Sequence, residues 1–302
     1  MKNTVQAFLF ACLLWGTTCQ SQDKRYQEQL FDQVGKTTVV YGKNTTQKGE
    51  EKVLDMDIYT PQSDTDTNRP LVLLAHGGGF TRGNKESLKY TGLIEYLAKS
   101  GYVVASITYR LIDIEVTQQA RGVGVIQAVQ DMKAALRFFG KSVKEGNTYG
   151  INPDAVFIGG YSAGAITALH TAYIENEAEV AETTPGFEQV FPLLGGLEGN
   201  SGNSGYTIPI KGVINIAGGL ISVDYLDKGE PALHSTHGTA DDIVPIGQGQ
   251  LAGSQLIHDR AQKEGVPETL NAVEGGKHNV INNCEPCFES IRKFLLEQMG
   301  KL

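Results

Sequence analysis

Runs of hydrophobic residues along the chain fall into two patterns that predict different kinds of strand. Three runs, at residues 71–75, 102–107 and 155–158, are almost continuously apolar, as strands are when helices cover both faces of a sheet. An earlier run, residues 53–59, alternates apolar and polar positions, which predicts a strand with one face in water. Apolar side chains at steps of three and four over residues 125–139 predict a helix. This part of the chain therefore predicts helices packed on a sheet whose inner strands are parallel.

Strands and helices continue to alternate toward the C-terminus, apart from one glycine-rich insertion. The insertion covers residues 176–206 and contains GGLEGNSGNSG, in which the many glycines disfavour regular structure. This order predicts a single α/β domain over residues 22–302, with a mostly parallel central sheet and helices on both faces. The later elements are strands at 213–217, 232–236 and 268–273 and helices that begin near Ala163, cover 251–263 and close the chain from residue 288.

The first 21 residues have the pattern of an export signal. Lys2 precedes an apolar run from Val5 to Trp15, and small or polar residues follow up to a cleavage position after Ser21. The charged, turn-rich stretch that comes next disfavours a buried first helix. We therefore predict a signal peptide at residues 1–21 and a secreted or periplasmic protein, with a lipid anchor on Cys19 as the alternative.

Charge and hydropathy exclude two classes of partner. The 302 residues include 26 Lys and Arg against 34 Asp and Glu, a net charge of −8. No basic surface for nucleic acid or anionic lipid is therefore expected. No apolar run after the N-terminal segment approaches the roughly 18 residues that cross a bilayer, so no membrane span is predicted.

Two cysteines, Cys284 and Cys287, remain after removal of the signal segment. An exported protein meets an oxidising compartment, so a disulfide between them is predicted. A redox-active motif is disfavoured because the pair lies near the C-terminus and not at the start of a helix early in a βαβ unit. A zinc site would need a second ligand pair that the sequence lacks, so no metal site is predicted.

A turn between a predicted strand and a predicted helix carries the sequence GYSAG, residues 160–164. A G-x-S-x-G turn in this position is a nucleophile elbow, which holds a serine in a strained backbone conformation with its hydroxyl clear of the sheet. The two glycines leave room for neighbouring backbone. A phosphate-binding turn is disfavoured because neither GxGxxG nor GxxxxGK[ST] is present. Ser162 is the predicted nucleophile.

Three glycines follow His76 directly after the first continuous apolar strand, in the sequence HGGGF. Backbone N–H groups that no side chain screens can point at the negative oxygen that forms when a serine attacks a carbonyl carbon. An HGGG motif supplies such donors in lipases and esterases. We assign Gly78, Gly79 and Ala163 as oxyanion donors, and His76 is predicted to brace the loop rather than to act as a base.

The serine hydroxyl needs a base and an orienting carboxylate, and both follow an elbow serine along the chain. His278 lies in the turn GGKHN beyond the last predicted strand, where it can reach the top of the sheet. The acid lies in HGTADDIVP. Asp241 and Asp242 are adjacent there, so their side chains diverge and only one of them can orient His278. The histidines set aside, because they lie in helices or beside a strand that precedes the acid, are His170, His234, His237 and His258.

The chain resembles carboxylesterases of the α/β-hydrolase superfamily, near the hormone-sensitive-lipase-like, feruloyl and acetylxylan esterases. The matching segments are LDMDIYTP, HGGGF, SITYRL, GINPDAVFIGGYSAGA, HGTADDIVP and GGKHN, which span most of the chain in the expected order. The resemblance implies an α/β-hydrolase fold, and its HGxxDxxVP spacing implies that Asp241 is the acid. Only a short segment separates the strands at 213–217 and 232–236, where such enzymes insert a cap, so little or no cap is expected.

We therefore expect a serine carboxylesterase that needs no cofactor and forms an acyl-enzyme through Ser162, His278 and Asp241. The expected substrates are short-chain or aromatic carboxylic esters, as small molecules or carried on polysaccharide. A lipase or polyester-type hydrolase is the alternative enzyme. A binding module on a hydrolase fold is the non-enzymatic alternative, disfavoured because every catalytic part is retained, although fold alone does not establish function. The sequence leaves the oligomeric state open.

Overall fold

A computed structural model describes residues 24–184 and 186–302. The predicted signal peptide and the alternative anchor at Cys19 lie outside the described residues. An eight-stranded mixed sheet forms the centre of the described part, with strands in the order β1-β2-β4-β3-β5-β6-β8-β10. These strands are β1 (Val34–Thr45), β2 (Glu51–Pro61), β3 (Arg69–Ala75), β4 (Val103–Ile107), β5 (Ile151–Tyr161), β6 (Gly212–Ile216), β8 (Ala232–Gly238) and β10 (Glu268–Val273); β7 (Gly219–Leu220) pairs with β9 (Ala252–Gly253) in a separate ribbon.

Strand direction divides the sheet into a short antiparallel end and a long parallel part. β1, β2 and β4 pair antiparallel, and every further pair from β4 to β10 is parallel. The three continuously apolar runs of the sequence are β3, β4 and β5, which are neighbours and parallel as predicted. Their residues Leu71–Leu74 and Val156–Ile158 are almost fully buried. The predicted mostly parallel central sheet is confirmed.

Helices cover both faces of the sheet. α1 and α7 pack on one face with a cluster that includes Val72, Val104 and Phe157, while α2, α3 and α6 pack on the other with Leu73 and Ile158. None of the helices in the described part of the chain has the length and apolar content that crossing a bilayer requires. The helices are α1 (Leu93–Lys99), α2 (Gln118–Lys144), α3 (Ala163–Tyr173), α4 (Glu177–Thr183), α5 (Phe191–Leu194), α6 (Ser254–Glu264) and α7 (Glu285–Gln298).

The prediction of a wet face on β2 holds only for its first half, where Val53 is 51% exposed and the Asp55 side chain is 30% exposed. Asp57 is fully buried and Tyr59 nearly so, although both stand at the polar positions of the alternating run. The Asp57 carboxylate accepts hydrogen bonds from Lys36 Nζ at 3.1 Å and Thr38 Oγ1 at 2.6 Å on β1. A buried charge is tolerated when it is paired and hydrogen-bonded, so the alternation here marks a satisfied buried carboxylate and not contact with water.

The insertion at 176–206 is more ordered than its composition suggests. It contains the short helices α4 and α5, while its glycine-rich part, residues 195–205, forms neither helix nor strand. Gln130 of α2 holds this part by donating to Leu194 O at 3.1 Å and Gly196 O at 2.6 Å. The segment between β6 and β8 contains only β7 and one turn of 3₁₀ helix. The segment between these two strands is therefore short, and it carries little or no cap, as expected.

Candidate active site

The predicted nucleophile stands at a strained turn between β5 and α3. Ser162 has φ 53° and ψ −119°, a conformation that non-glycine residues seldom adopt. Its N–H donates to Ile216 O at 2.8 Å, which fixes the turn to the end of β6. A Cβ atom on Gly164 would lie 2.0 Å from Ala75 O, and one on Gly160 would lie 2.5 Å from the same oxygen. Both glycines are therefore required for the close backbone contact that holds the serine in place.

The structure brings Ser162, His278 and Asp241 into one hydrogen-bonded line. His278 Nδ1 donates to Asp241 Oδ2 at 2.7 Å, and Ser162 Oγ lies 2.8 Å from His278 Nε2. The carboxylate can only accept, so the proton of a neutral imidazole lies on Nδ1 and Nε2 is free to accept from the serine. The Asp241 side chain is 0% exposed and that of His278 is 17% exposed. This arrangement has the geometry of a nucleophile, base and orienting acid.

Asp241, and not its neighbour Asp242, faces the imidazole. Asp241 Oδ1 accepts from the backbone N–H groups of Ile243 and Val244, at 2.9 and 3.0 Å, which leaves Oδ2 directed at His278. Asp242 is exposed to solvent. The two adjacent side chains diverge, as expected from the sequence, and the local turn decides which of them points inward.

Hydrogen bonds between the two loops fix the distance from the acid to the base. Thr239 N donates to Val273 O at 3.0 Å and Ala240 N donates to Gly276 O at 2.9 Å, so the turn before Asp241 is joined to the turn before His278. A Cβ atom on Gly238 would lie 2.1 Å from Gly276 O. A glycine at the end of β8 therefore allows these two loops to meet.

Two of the three predicted oxyanion donors lie in the loop after β3, and the third directly follows Ser162. Gly78 and Gly79 have φ 114° and 60°, which glycine adopts readily, and Ala163 is the first residue of α3, where backbone N–H groups have no partner inside the helix. Within the described residues, none of these three amides donates to another backbone group. Their role as oxyanion donors stays a prediction.

His76 braces the glycine loop from its buried side, as the sequence predicted. His76 Nδ1 donates to Gly77 O at 2.6 Å, the ring stacks on Tyr109 at a centroid distance of 4.3 Å, and Tyr109 Oη donates to His76 O at 2.8 Å. Burial lowers the pKa of His76 to about 4, so the imidazole is neutral at neutral pH. Its contacts fix the backbone that leads into Gly78 and Gly79.

One histidine that was not predicted to belong to the site does contact it. His237, at the end of β8, is fully buried, and its Nε2 lies 3.2 Å from Asp241 Oδ2. Burial lowers the pKa of His237. Its position four residues before the acid was the one signal available in the sequence. By contrast His170, His234 and His258 hydrogen-bond to other parts of the fold.

A disulfide lies in the chain segment that follows the base. Cys284 and Cys287 are bonded, and Cys284 is the N-cap residue of α7. The pair therefore lies at the start of the last helix of the chain and not of a helix early in a βαβ unit, which agrees with the sequence argument. Among residues 24–184 and 186–302, no cluster of three metal-ligating side chains is found.

Comparison with solved structures finds esterases of the same fold. An esterase from Thermogutta terrifontis with propionate bound has a TM-score of 0.68 and 20% identity, covering 89% of this chain and 96% of its own. The same esterase phosphorylated by paraoxon has a TM-score of 0.67 and 21% identity, covering 89% and 95%. A truncated carbohydrate esterase from gut microbiota has a TM-score of 0.64 and 22% identity, covering 90% and 98%. No curated protein matches the chain.

Fold and site define an α/β-hydrolase of the serine-esterase class. The model of the BD-FAE family matches residues 56–220, more than half of the chain. The chain belongs to the BD-FAE family, and this membership together with the fold makes it a carboxylic ester hydrolase.

Proposed function

We propose that this protein hydrolyses carboxylic esters through a triad of Ser162, His278 and Asp241 and an acyl-enzyme intermediate. The observation that carries the proposal is the unbroken line of contacts from Asp241 Oδ2 to His278 at 2.7 Å and from His278 to Ser162 Oγ at 2.8 Å. The strained turn at the serine supports it, because such strain keeps the hydroxyl directed away from the sheet.

Acylation follows from this geometry. His278 Nε2 takes the proton of Ser162 Oγ as the oxygen attacks the carbonyl carbon of the ester. The carbonyl oxygen becomes negative, and the N–H groups of Gly78, Gly79 and Ala163 stabilise it. The bond to the alcohol oxygen then breaks, and that oxygen receives the proton from His278.

Deacylation repeats the same steps with water in place of the serine hydroxyl. His278 takes a proton from water, the hydroxide attacks the acyl carbon, and Ser162 Oγ leaves with the proton that His278 returns. Asp241 keeps its charge throughout and stabilises the imidazolium that forms in each step. Its burial and its two backbone donors hold it in one position for both halves of the reaction.

Replacement of the serine tests this assignment. Ser162→Ala is expected to fold and to lose ester hydrolysis by orders of magnitude, on the scale of about 10⁶-fold that removal of a triad nucleophile has cost elsewhere. Labelling by a fluorophosphonate, which reacts with an activated serine, should vanish in the same variant. Ser222→Ala, at an exposed serine hydroxyl hydrogen-bonded to Asp224, is the matched control and should keep both. Persistent labelling of Ser162→Ala would show that another serine is the nucleophile.

For the substrate, we propose short acyl groups, from acetyl to butyryl, or aromatic acids, including esters carried on carbohydrate. The short segment between β6 and β8 supports this. A cap that covered a long acyl chain would contribute about 0.8 kcal/mol per buried methylene, and without that cover a longer chain gains no affinity. Ile243, two residues after Asp241, is 67% exposed, so apolar surface here is in contact with water. Propionate and butyrate are bound in the Thermogutta terrifontis esterase, and a carbohydrate esterase shares the fold.

A series of p-nitrophenyl esters from acetate to palmitate, run beside feruloyl and acetylated-sugar esters, tests the substrate proposal. The expected result is that kcat/KM does not increase with acyl length beyond butyrate, because no further methylene is covered. Ser162→Ala serves as the background for each ester. A steady rise of kcat/KM up to palmitate would contradict the proposal and would indicate a lipase whose lid is built from residues 176–206.

We also propose that the protein is exported, with residues 1–21 removed. The support is the sequence pattern alone, with Lys2 before an apolar run and a small residue at the cleavage position. Intact-mass measurement of the protein recovered from its native compartment would give a chain that begins at Gln22. A mass that includes lipid on Cys19 would favour the anchored alternative.

A further inference from the structure

The acid of the triad is itself held by a chain of buried polar side chains that the catalytic steps do not use. His237 Nε2 lies 2.8 Å from Val244 O and 3.2 Å from Asp241 Oδ2, and its Nδ1 lies 2.7 Å from Ser254 Oγ. Asn215 Nδ2 in turn donates to Ser254 Oγ at 2.9 Å. Four of these residues are buried: Asn215, His237, Asp241 and Ser254.

When the imidazole of His237 is neutral, each hydrogen in this chain has one position. Gly218 N donates to Asn215 Oδ1 at 3.0 Å, so the other end of the Asn215 side chain is its NH₂ group, which donates to Ser254. The carbonyl of Val244 can only accept, so His237 carries its proton on Nε2. Ser254 therefore donates its hydroxyl hydrogen to His237 Nδ1. The single N–H of the neutral imidazole thus donates to Val244 O, and Asp241 Oδ2 lies beside it, 3.2 Å from Nε2.

We propose that His237 is a positioning residue for the reaction: its N–H holds the turn at 241–244 through Val244 O and lies beside Asp241 Oδ2, the oxygen that faces His278. Val244 both donates to Asp241 Oδ1 and accepts from His237, so the imidazole closes the turn that fixes the carboxylate. A buried carboxylate needs compensating polar groups, and the N–H dipole beside Asp241 Oδ2 compensates part of its charge without adding a full positive charge. The proposal rests on the proposed function, because it concerns the acid of that triad.

The electrostatics of His237 and Asp241 explain why the group beside the carboxylate is neutral. The titratable groups that face His237 within the described residues are Asp241 and His278. A charged His237 would pair with Asp241 and weaken the hold of that carboxylate on His278. Desolvation lowers the pKa of His237 and keeps it uncharged where His278 acts as a base.

Two variants of His237 separate positioning from packing. His237→Leu keeps an apolar volume but removes the N–H, and kcat is expected to fall about 10- to 100-fold with KM within about twofold, the scale of one hydrogen bond to a charged group. His237→Gln presents an amide N–H near the position of Nε2 and is expected to recover kcat to within about fivefold. His234→Gln is the matched control, because His234 is equally buried on the same strand but bonds Thr269 and Thr236.

The pH profile of kcat/KM distinguishes the two roles. It should change if His237 acts on the charge of Asp241, and it should not change if His237 only packs in the core. The acid limb of kcat/KM reports protonation of the base in the free enzyme. Without the N–H of His237, more of the negative charge on Asp241 Oδ2 acts on His278, which favours the imidazolium over the neutral ring. The limb should therefore move to higher pH in His237→Leu and return in His237→Gln. An unmoved limb, or wild-type kcat in His237→Leu, would overturn the proposal.

Ser254→Ala tests the same chain if His237→Leu does not fold. Removing the hydroxyl releases Nδ1 of His237, and kcat is expected to fall a few-fold in the wild-type background but not in His237→Gln, whose side chain lacks that acceptor. Additive losses in the double variant would overturn the proposal. The failures remain distinguishable: persistent fluorophosphonate labelling of Ser162→Ala defeats the triad itself, whereas an esterase that depends on Ser162 but is indifferent to His237 defeats the present inference alone.

Discussion

Replacement of Asp241 by asparagine changes one atom in the triad and should reverse the direction of a hydrogen bond. In the wild type, Oδ1 accepts from two backbone N–H groups and Oδ2 accepts from His278. An asparagine at 241 keeps its carbonyl oxygen toward the two backbone donors, because its NH₂ group cannot accept from them. The NH₂ group then takes the place of Oδ2 and faces His278.

The expected magnitude follows from the tautomer that this NH₂ group selects. His278 Nδ1 must accept from the amide, so the ring proton moves to Nε2, the atom that lies 2.8 Å from Ser162 Oγ. A protonated Nε2 cannot take the hydrogen of the serine. The corresponding substitution in a well-studied serine protease lowers kcat about 10⁴-fold, and this corresponds to about 5.4 kcal/mol in the barrier.

The assay compares kcat for p-nitrophenyl butyrate in Asp241→Asn and Asp242→Asn. Both variants remove one negative charge from adjacent positions, so long-range electrostatic effects are matched. Asp242 is exposed and has no contact with His278, and its variant should keep kcat within about twofold. Thermal unfolding of both proteins checks that loss of activity is not loss of fold.

Two results would refute this reasoning. If Asp241→Asn kept more than a tenth of the wild-type kcat, the carboxylate would not determine the tautomer of His278. If Asp242→Asn were the inactive variant and Asp241→Asn the active one, the assignment of the acid would be reversed.

Two further predictions concern stability. Alkylation followed by intact-mass analysis of the unreduced, denatured protein should find no free thiol at Cys284 or Cys287, and reduction should lower Tm only slightly because the closed loop is very short; two alkylated thiols would exclude the bond. Burial lowers the pKa of three histidines from 6.5 to about 4, so the unfolded chain binds more protons between these values. The contribution of these histidines to the free energy of unfolding is fully present above about pH 6.5. It decreases as the pH falls toward 4, by up to about 1.4 kcal/mol per pH unit for each histidine. A urea midpoint that stays constant from pH 7 to pH 5 would contradict this. The three residues are His76, His170 and His234.

Local sequence determined the main elements and the first member of the site. Continuous apolar runs can be strands only where helices cover both faces, so the inner strands and their direction could be predicted. A G-x-S-x-G segment between such a strand and a helix leaves few backbone conformations open, and Ser162 could be located for that reason. His278 followed from its place in a turn beyond the last strand.

Other features depend on contacts between distant segments, and only the tertiary structure determined them. Asp241 and Asp242 have the same chemistry and adjacent positions, so only the resemblance could choose between them before the turn at 243–244 showed which carboxylate points inward. The burial of Asp57 depends on Lys36 and Thr38 of the neighbouring strand.

Apart from its position four residues before the acid, nothing in the local sequence indicated the role proposed for His237, because its pattern is that of any buried strand residue. Its environment is created by four separate parts of the chain: the ends of β6 and β8, the start of α6 and the turn after Asp241. Local patterns report the shape of one element and the side of it that is buried. Which polar groups meet inside the fold depends on how the elements pack, and this packing is a property of the whole chain.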